Sequence, residues 1–310
     1  MKKESKIFIA GHLGLVGSAI HRKLLKKGFK NIVVRTRKEL NLFNERAVAD
    51  FFSKEKPEYV FIAAAKAGGI LANDTSPADF IYENLQIQNN IIHNAYLSKV
   101  KKLLFLGSSC IYPKNSKQPI KEEYLLTGPL EKTNDAYAVA KIAGIKMCQS
   151  YNKQYGTNFI SAMPTNLYGP NDNFDLETSH VIPALIRKFY EAKLQNKKEV
   201  ILWGSGLAKR EFLYVDDLAE ALVFLMNKYN ESEIINIGTG KDVSINELAL
   251  ILKKISGFSG KIVWDKSKPD GTMRKLLDVS RINKLGWKSK TPLGIGLSYI
   301  YKFYKNSLEK

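Results

Sequence analysis

With 310 residues, 45% of them apolar, the chain has material for one large domain or for a domain with a smaller lobe. Lysine and arginine total 48 against 30 acidic residues, a formal charge of +18, yet no run of five basic residues occurs and the lysines fall in nearly every segment. That dispersal reads as a solvated surface and argues against nucleic acid as a partner, and the lack of an 18-residue apolar run argues against a membrane span.

The N-terminal residues are too poor in apolar side chains for a signal-peptide core, and 6–10 (KIFIA) read as a buried strand. Gly11, Gly14 and Gly17 follow. Helical spacing then runs over 16–27, and Gly28 closes it. Strand, glycine loop and helix in that order form a phosphate cradle. The glycines let backbone N–H groups reach a pyrophosphate, and the helix N-terminus adds its dipole. A tight turn alone would also use such glycines; the flanking strand and helix favour the cradle. A second strand, 31–34, ends in Arg35-Thr36-Arg37, where an NAD site would carry an acid for the ribose hydroxyls. A guanidinium there suits the 2′-phosphate of NADP, although two exposed arginines would read the same way.

Residues 40–54 read as a helix, 59–65 as a strand, 83–98 as a helix and 102–106 as a strand. This alternation predicts an α/β fold with a Rossmann-like, doubly wound parallel sheet. Ligands in such a fold lie at the carboxyl ends of the strands, here near Gly11, Ala65, Ser108 and Met163. After a strand at 159–162 the pattern is less regular. Helices are expected at 180–192, 216–227, 244–255 and 293–306, and strands at 200–203, 234–237 and 261–264. Asp216 is the expected cap of its helix, and Ser244 with Glu247 has the form of a capping box. The expected division is a dinucleotide-binding domain over 1–169, rejoined by segments near 211–238, and a smaller, mainly substrate-binding C-terminal lobe over 170–310. Cys110 and Cys148 have no metal-ligand spacing, so free thiols and a cytoplasmic location are expected.

The chemistry concentrates in DAYAVAKIAG, where Tyr137 stands one helical turn before Lys141. An ammonium beside a phenol should lower the tyrosine pKa from its usual value of about 10 and make Tyr137 a proton donor or acceptor. Ser108, just past the fourth strand, could share a substrate oxygen with it. The spacing alone also fits a core tyrosine beside a solvated lysine.

Taken together, the stretches GHLGLVGSAI, FIAAAKAGGI, FLGSSCIYPK, YAVAKIAGIK, MPTNLYGPNDNF, SHVIPALIRKF, WGSG, REFLYVDDLA, INIGTG and SKPDGT-RKLLDV resemble the extended short-chain dehydrogenase/reductase family. Within it they look most like the epimerase-reductases of GDP-linked 4-keto-6-deoxy sugars. The resemblance implies NADP(H) as cofactor and such a sugar as substrate. It implies that Gly11, Gly14, Leu15, Val16 and Gly17 hold the pyrophosphate and Arg37 the 2′-phosphate. Leu106, Gly107, Ser109, Pro164, Asn166, Leu167 and His180 would line the cofactor, and Lys141 would contact the nicotinamide ribose. Ser108 and Tyr137 would bracket the 4-keto oxygen, with Cys110 and His180 as the acid/base pair for epimerisation. Lys188, Trp203, Arg210 and Asp270 would bind the GDP-sugar.

Each role has a plainer rival. Cys110 could be a small buried residue, His180 a helix-terminal residue, Trp203 part of a core, Arg210 a partner of Glu211 and Asp270 a turn former. A thiolate at Cys110 would call for a neighbouring positive charge, such as an imidazolium. The resemblance leaves open a reductase acting only at C4, on an already epimerised sugar such as a heptose. It further implies a homodimer paired through helices near 83–98 and 135–155. The chain departs from the family at Leu13, where an arginine is frequent, at Met273, where a proline is frequent, and in a short connection between Met226 and Glu233.

Overall fold

The computed structural model describes residues 1–268 and 270–309. The first half runs β1 (Ile7–Ala10), α1 (Leu15–Lys26), β2 (Ile32–Val33), α2 (Glu45–Glu55), β3 (Tyr59–Ile62), α3 (Ile70–Thr75), α4 (Pro77–Leu97), β4 (Lys102–Leu106), α5 (Asp135–Tyr155) and β5 (Phe159–Pro164). The second runs β6 (Asn166–Tyr168), α6 (Val181–Leu194), β7 (Glu199–Trp203), β8 (Lys209–Tyr214), α7 (Val215–Lys228), β9 (Ile235–Ile237), β10 (Asp242–Ser244), α8 (Ile245–Ser256), β11 (Lys261–Asp265), β12 (Arg274–Lys275), α9 (Ser280–Lys284) and α10 (Leu293–Leu308).

Six strands form one parallel sheet in the order β2-β1-β3-β4-β5-β9. Its strands are apolar without alternation because both faces are covered. Along β1, Ile7 and Ile9 enter the core under α1 and α7, while Phe8 and Ala10 enter the core under α2, α4 and α5. Each large side chain buried this way contributes about 1.5–3 kcal/mol. The Rossmann-like α/β expectation is therefore met, and β9 and α7 return to this sheet from the second half of the chain.

The other strands build a second layer. β8 pairs with β6 and β12 in parallel and with β10 antiparallel, and β7 pairs with β11. Helices α6, α8 and α10 close a third core there around Phe189, Leu202, Leu248 and Leu297.

Several boundaries differ from the sequence reading for local reasons. Asn44 accepts from the Ala47 N–H, so α2 starts at Glu45 and not near Leu40. Pro77 opens α4 ahead of the expected start, in the first turn, where its missing N–H would have had no intrahelical partner. Asp216 does not cap α7; it lies in the first turn and pairs with Arg22 of α1 at 2.7 Å. The Ser244–Glu247 capping box of α8 is present. Among the described residues no helix is long and apolar enough to cross a membrane.

Candidate active site

The strand order reverses between β1 and β3, and this opens a crevice at their carboxyl ends. The three loop glycines answer three different demands there. Gly11 has φ +84°, and a Cβ on it would sit 2.7 Å from the Ala64 backbone. A Cβ on Gly17 would lie 2.0 Å from the Gly11 carbonyl, so this glycine lets α1 pack onto its own loop. Gly14 meets nothing nearer than 3.6 Å, so no internal contact requires it. It begins α1 without a side-chain cap, and the helix has no acid in its first turn. The N–H groups of Leu15, Val16 and Gly17 have no side-chain acceptor among the described residues, an arrangement that fits a pyrophosphate.

At the end of β2 the two arginines separate in role. Arg35 pairs with Glu55 at 2.5 Å. Arg37 is exposed, lies over the Phe43 ring at 4.9 Å, and has no ion-pair partner among the described residues. Leu13 stands 66% exposed and brings no charge to this corner, and burial lowers the His12 pKa, so the exposed cations here are Arg37 and its neighbour Lys38.

Past β4, Ser108 opens the 3-10 turn Ser109–Ile111, and its Oγ accepts the Cys110 N–H at 3.2 Å. A Cβ on Gly107 would press on the end of the Met163 side chain, which would have to turn aside. Tyr137, near the head of α5, lies edge-on to Phe80 and beside Ser108 and Cys110. Lys141 is 3% exposed, and its Nζ donates to the Leu106 carbonyl at 2.8 Å. The expected fall in the Tyr137 pKa is reversed. Burial pushes the phenol well above its usual range, the Cys110 charge adds to this, and the Ser108 hydroxyl only partly opposes it. Burial also pushes Lys141 down to about 7. The Lys141 ammonium lies 5.8 Å from the Tyr137 ring centroid and is committed to a carbonyl, so desolvation outweighs their attraction. A phenol held protonated at neutral pH is suited to giving a proton rather than taking one.

Beside Cys110 the site holds a residue that sequence reasoning missed. Lys275, on β12, places its Nζ 3.6 Å from the Cys110 Sγ. Its charge also helps to lower the pKa of His180, after burial as the larger cause. The cation beside the thiol is therefore this ammonium and not the expected imidazolium. His180 begins α6 as its N-cap residue and keeps an exposed edge. Lys275 escaped notice because β12 has two residues, too few to show a period. Buried polar atoms without a protein partner, Asn134 Oδ1 and Ser179 Oγ, stand next in sequence to α5 and to His180.

Farther along the cleft, Trp203 is 48% exposed between two ammonium groups, Lys188 at 5.5 Å and Lys268 at 5.4 Å from its ring centroid. Lys188 also donates to the Ile201 carbonyl, and burial lowers its pKa. Arg210 does not pair with Glu211. It donates to the Lys209 and Asp270 carbonyls and lies within electrostatic range of Cys110 and Glu131. Glu211 instead turns into the core, where it accepts N–H bonds from Thr239, Gly240 and Leu277. An acid at the head of the apolar run Phe212-Leu213-Tyr214 was its signal in the sequence. Asp270 uses Oδ1 to accept the Ser205 N–H at 2.8 Å, so it braces the turn after Trp203. Pro269, beside it in the expected turn, lies outside the described residues. Pro164, Asn166 and Leu167 lead from β5 into β6, and the Asn166 amide donates to the Glu211 carbonyl at 2.8 Å.

A family model for the NAD dependent epimerase/dehydratase family matches residues 7–238, the span that holds the glycine loop, Ser108, Tyr137 and Lys141. The chain belongs to that family. Among its relatives, GDP-L-fucose synthase 1 of Arabidopsis thaliana is 60% identical over 97% of this chain and 94% of that protein. GDP-L-fucose synthase of Escherichia coli (strain K12) is 54% identical over 99% and 98%. A solved structure of a GDP-mannoheptose C4 reductase from Campylobacter jejuni with NADP bound superposes with a TM-score of 0.91 at 48% identity, covering 98% of this chain and 99% of that one.

Proposed function

We propose that this epimerase/dehydratase family member is an NADPH-dependent epimerase-reductase of a GDP-linked 4-keto-6-deoxy sugar, giving a product of the GDP-L-fucose type. The observation that carries the reading is the meeting of Cys110, Lys275 and His180 with Ser108, Tyr137 and Lys141 in one cleft. The high identity to two GDP-L-fucose synthases supports it.

A 4-keto group acidifies the hydrogens on C3 and C5. Cys110, with the Lys275 ammonium stabilising negative charge on its sulfur, can remove such a proton as the thiolate, and His180, carrying a proton taken up from water, can return one to the carbon. Ser108 and Tyr137 hold the ketone oxygen and stabilise the charge it gains. NADPH, when bound, supplies the hydride that reduces C4. Tyr137 gives the proton to the resulting alkoxide, and Lys141 holds the nicotinamide ribose. Trp203, Lys188 and Arg210 hold the GDP part, for which a flat ring and cations are suited. Asp270 acts through the Trp203 loop.

Proton NMR of the product made in heavy water tests this. Deuterium at C3 and C5 is expected, and its absence from both would leave only the reduction. That outcome would favour the second reading, a C4 reductase of an already epimerised sugar such as a heptose, which the likeness to the heptose reductase supports.

Arg37 carries the choice of cofactor. Arg37→Ala is expected to raise the KM for NADPH by about tenfold or more while leaving that for NADH within about twofold, the signature of a lost phosphate contact. Steady-state kinetics with both cofactors reads this directly.

The working form is a homodimer built on α4 and α5, which pack side by side and leave Tyr82, Val139 and Tyr155 exposed. Its place is the cytoplasm, which suits two cysteines that are both unpaired.

A further inference from the structure

The side chain of Lys275 is only as useful as its aim, and β12 is too short to hold that aim alone. One edge of β12 lies on β8, with Lys275 opposite Arg210 and the Lys209 N–H bound to the Met273 carbonyl at 2.8 Å. The other edge is met by the loop that descends from Cys110. There the Gln118 side chain replaces a strand. Its Oε1 accepts the Leu276 N–H at 2.8 Å, and its Nε2 donates to the Arg274 carbonyl at 3.1 Å. A further bond from Nε2 to the Ser116 carbonyl, at 3.3 Å, ties the amide to its own loop. The backbone of that loop continues the contact, with the Ile120 N–H on the Leu276 carbonyl at 2.7 Å and the Asp278 N–H on the Ile120 carbonyl at 2.8 Å.

The Arg274 carbonyl and the Leu276 N–H belong to the two peptide planes on either side of the Lys275 Cα. An amide that grips both fixes φ and ψ at Lys275, and with them the direction of its Cβ. The same loop carries Cys110 at its other end, so one side chain sets the distance between the ammonium and the sulfur. From this geometry we infer that Gln118 is a positioning residue for epimerisation, acting through Lys275 on Cys110. The inference rests on the epimerase-reductase reading and adds to it a residue that touches neither sugar nor cofactor.

Gln118→Met keeps the volume and removes both peptide contacts. Gln118→Glu keeps the acceptor for Leu276 and loses the donor for Arg274. A misplacement of about an ångström can cost about a hundredfold in rate, so deuterium wash-in at C3 and C5 is expected to fall about a hundredfold in Gln118→Met, and less in Gln118→Glu. Reduction of a supplied, already epimerised substrate should slow by no more than about twofold in either variant. Alkylation of Cys110 by iodoacetamide at fixed pH should slow about tenfold in Gln118→Met as the ammonium leaves the sulfur, with buried Cys148 as a silent internal control. Wild-type exchange in Gln118→Met, or exchange and reduction falling together, would overturn the inference. If the wild-type protein itself shows no exchange, the epimerase reading fails; slowed alkylation in Gln118→Met would still uphold the placement of Lys275 by Gln118, and unchanged alkylation would refute it.

Discussion

Tyr137→Phe is expected to slow C4 reduction by about a thousandfold, a loss of about 4 kcal/mol of transition-state stabilisation, while NADPH still binds. The ring of the variant keeps its edge-on contact with Phe80, and α5 keeps its packing, so only the O–H is lost. No neighbour can replace it. Lys141 is buried and bound to the Leu106 carbonyl, and Ser108, an alcohol, can donate a hydrogen bond but holds its proton too tightly to give it up. Burial keeps the phenol protonated at neutral pH, which is the state a donor needs. Removing one of two donors to the ketone oxygen should also slow deuterium exchange at C3 and C5, by about a hundredfold. Loss of NADPH absorbance follows turnover, and fluorescence titration follows binding. Unchanged turnover would remove Tyr137 from the mechanism, and equal losses of turnover and binding would reduce it to a structural role.

The pairing of Tyr137 with Lys141 was readable because both lie on one long helix, where spacing alone fixes the shared face. Its electrostatics were not readable. Spacing says that an ammonium is near a phenol, but it does not say that the lysine is buried and spent on a carbonyl or that the phenol is desolvated among its neighbours, and those facts reverse the sign of the shift. The parallel sheet was legible for a similar reason. Its strands are covered on both faces, so they stand out as unbroken apolar runs such as IFIA and YVFI. β6, β8, β10 and β12 were not legible. They are short, they alternate weakly, and what pairs them is contact between segments far apart in the chain, such as Arg274 beside Lys209. Lys275 and Gln118 fell into that gap. The glycine loop was legible as a motif, but the reason for each glycine came only from what surrounds it: a backbone for Gly11 and Gly17, and open space for Gly14.

Cys110→Ala is the sharper test of the second half of the chemistry. Deuterium exchange at C3 and C5 should fall by about a thousandfold, the scale of a lost acid/base group. Reduction of an already epimerised substrate should survive, because what Cys110 gives to the reductive side is its backbone. Its N–H donates to the Ser108 Oγ, and alanine preserves that bond and with it the orientation of Ser108 beside Tyr137. Lys275→Met provides the comparison. It leaves the sulfur in place and removes the ammonium 3.6 Å away, so exchange should fall by a smaller factor, about tenfold to a hundredfold. The double variant should be no slower than Cys110→Ala alone, since the lysine acts through the sulfur and residues that work as a unit are not additive. A double variant slower than either single one by the product of both losses would show that Lys275 acts on the sugar directly. Retention of full exchange in Cys110→Ala would assign proton removal to His180 alone and leave the ammonium beside the sulfur without a catalytic purpose.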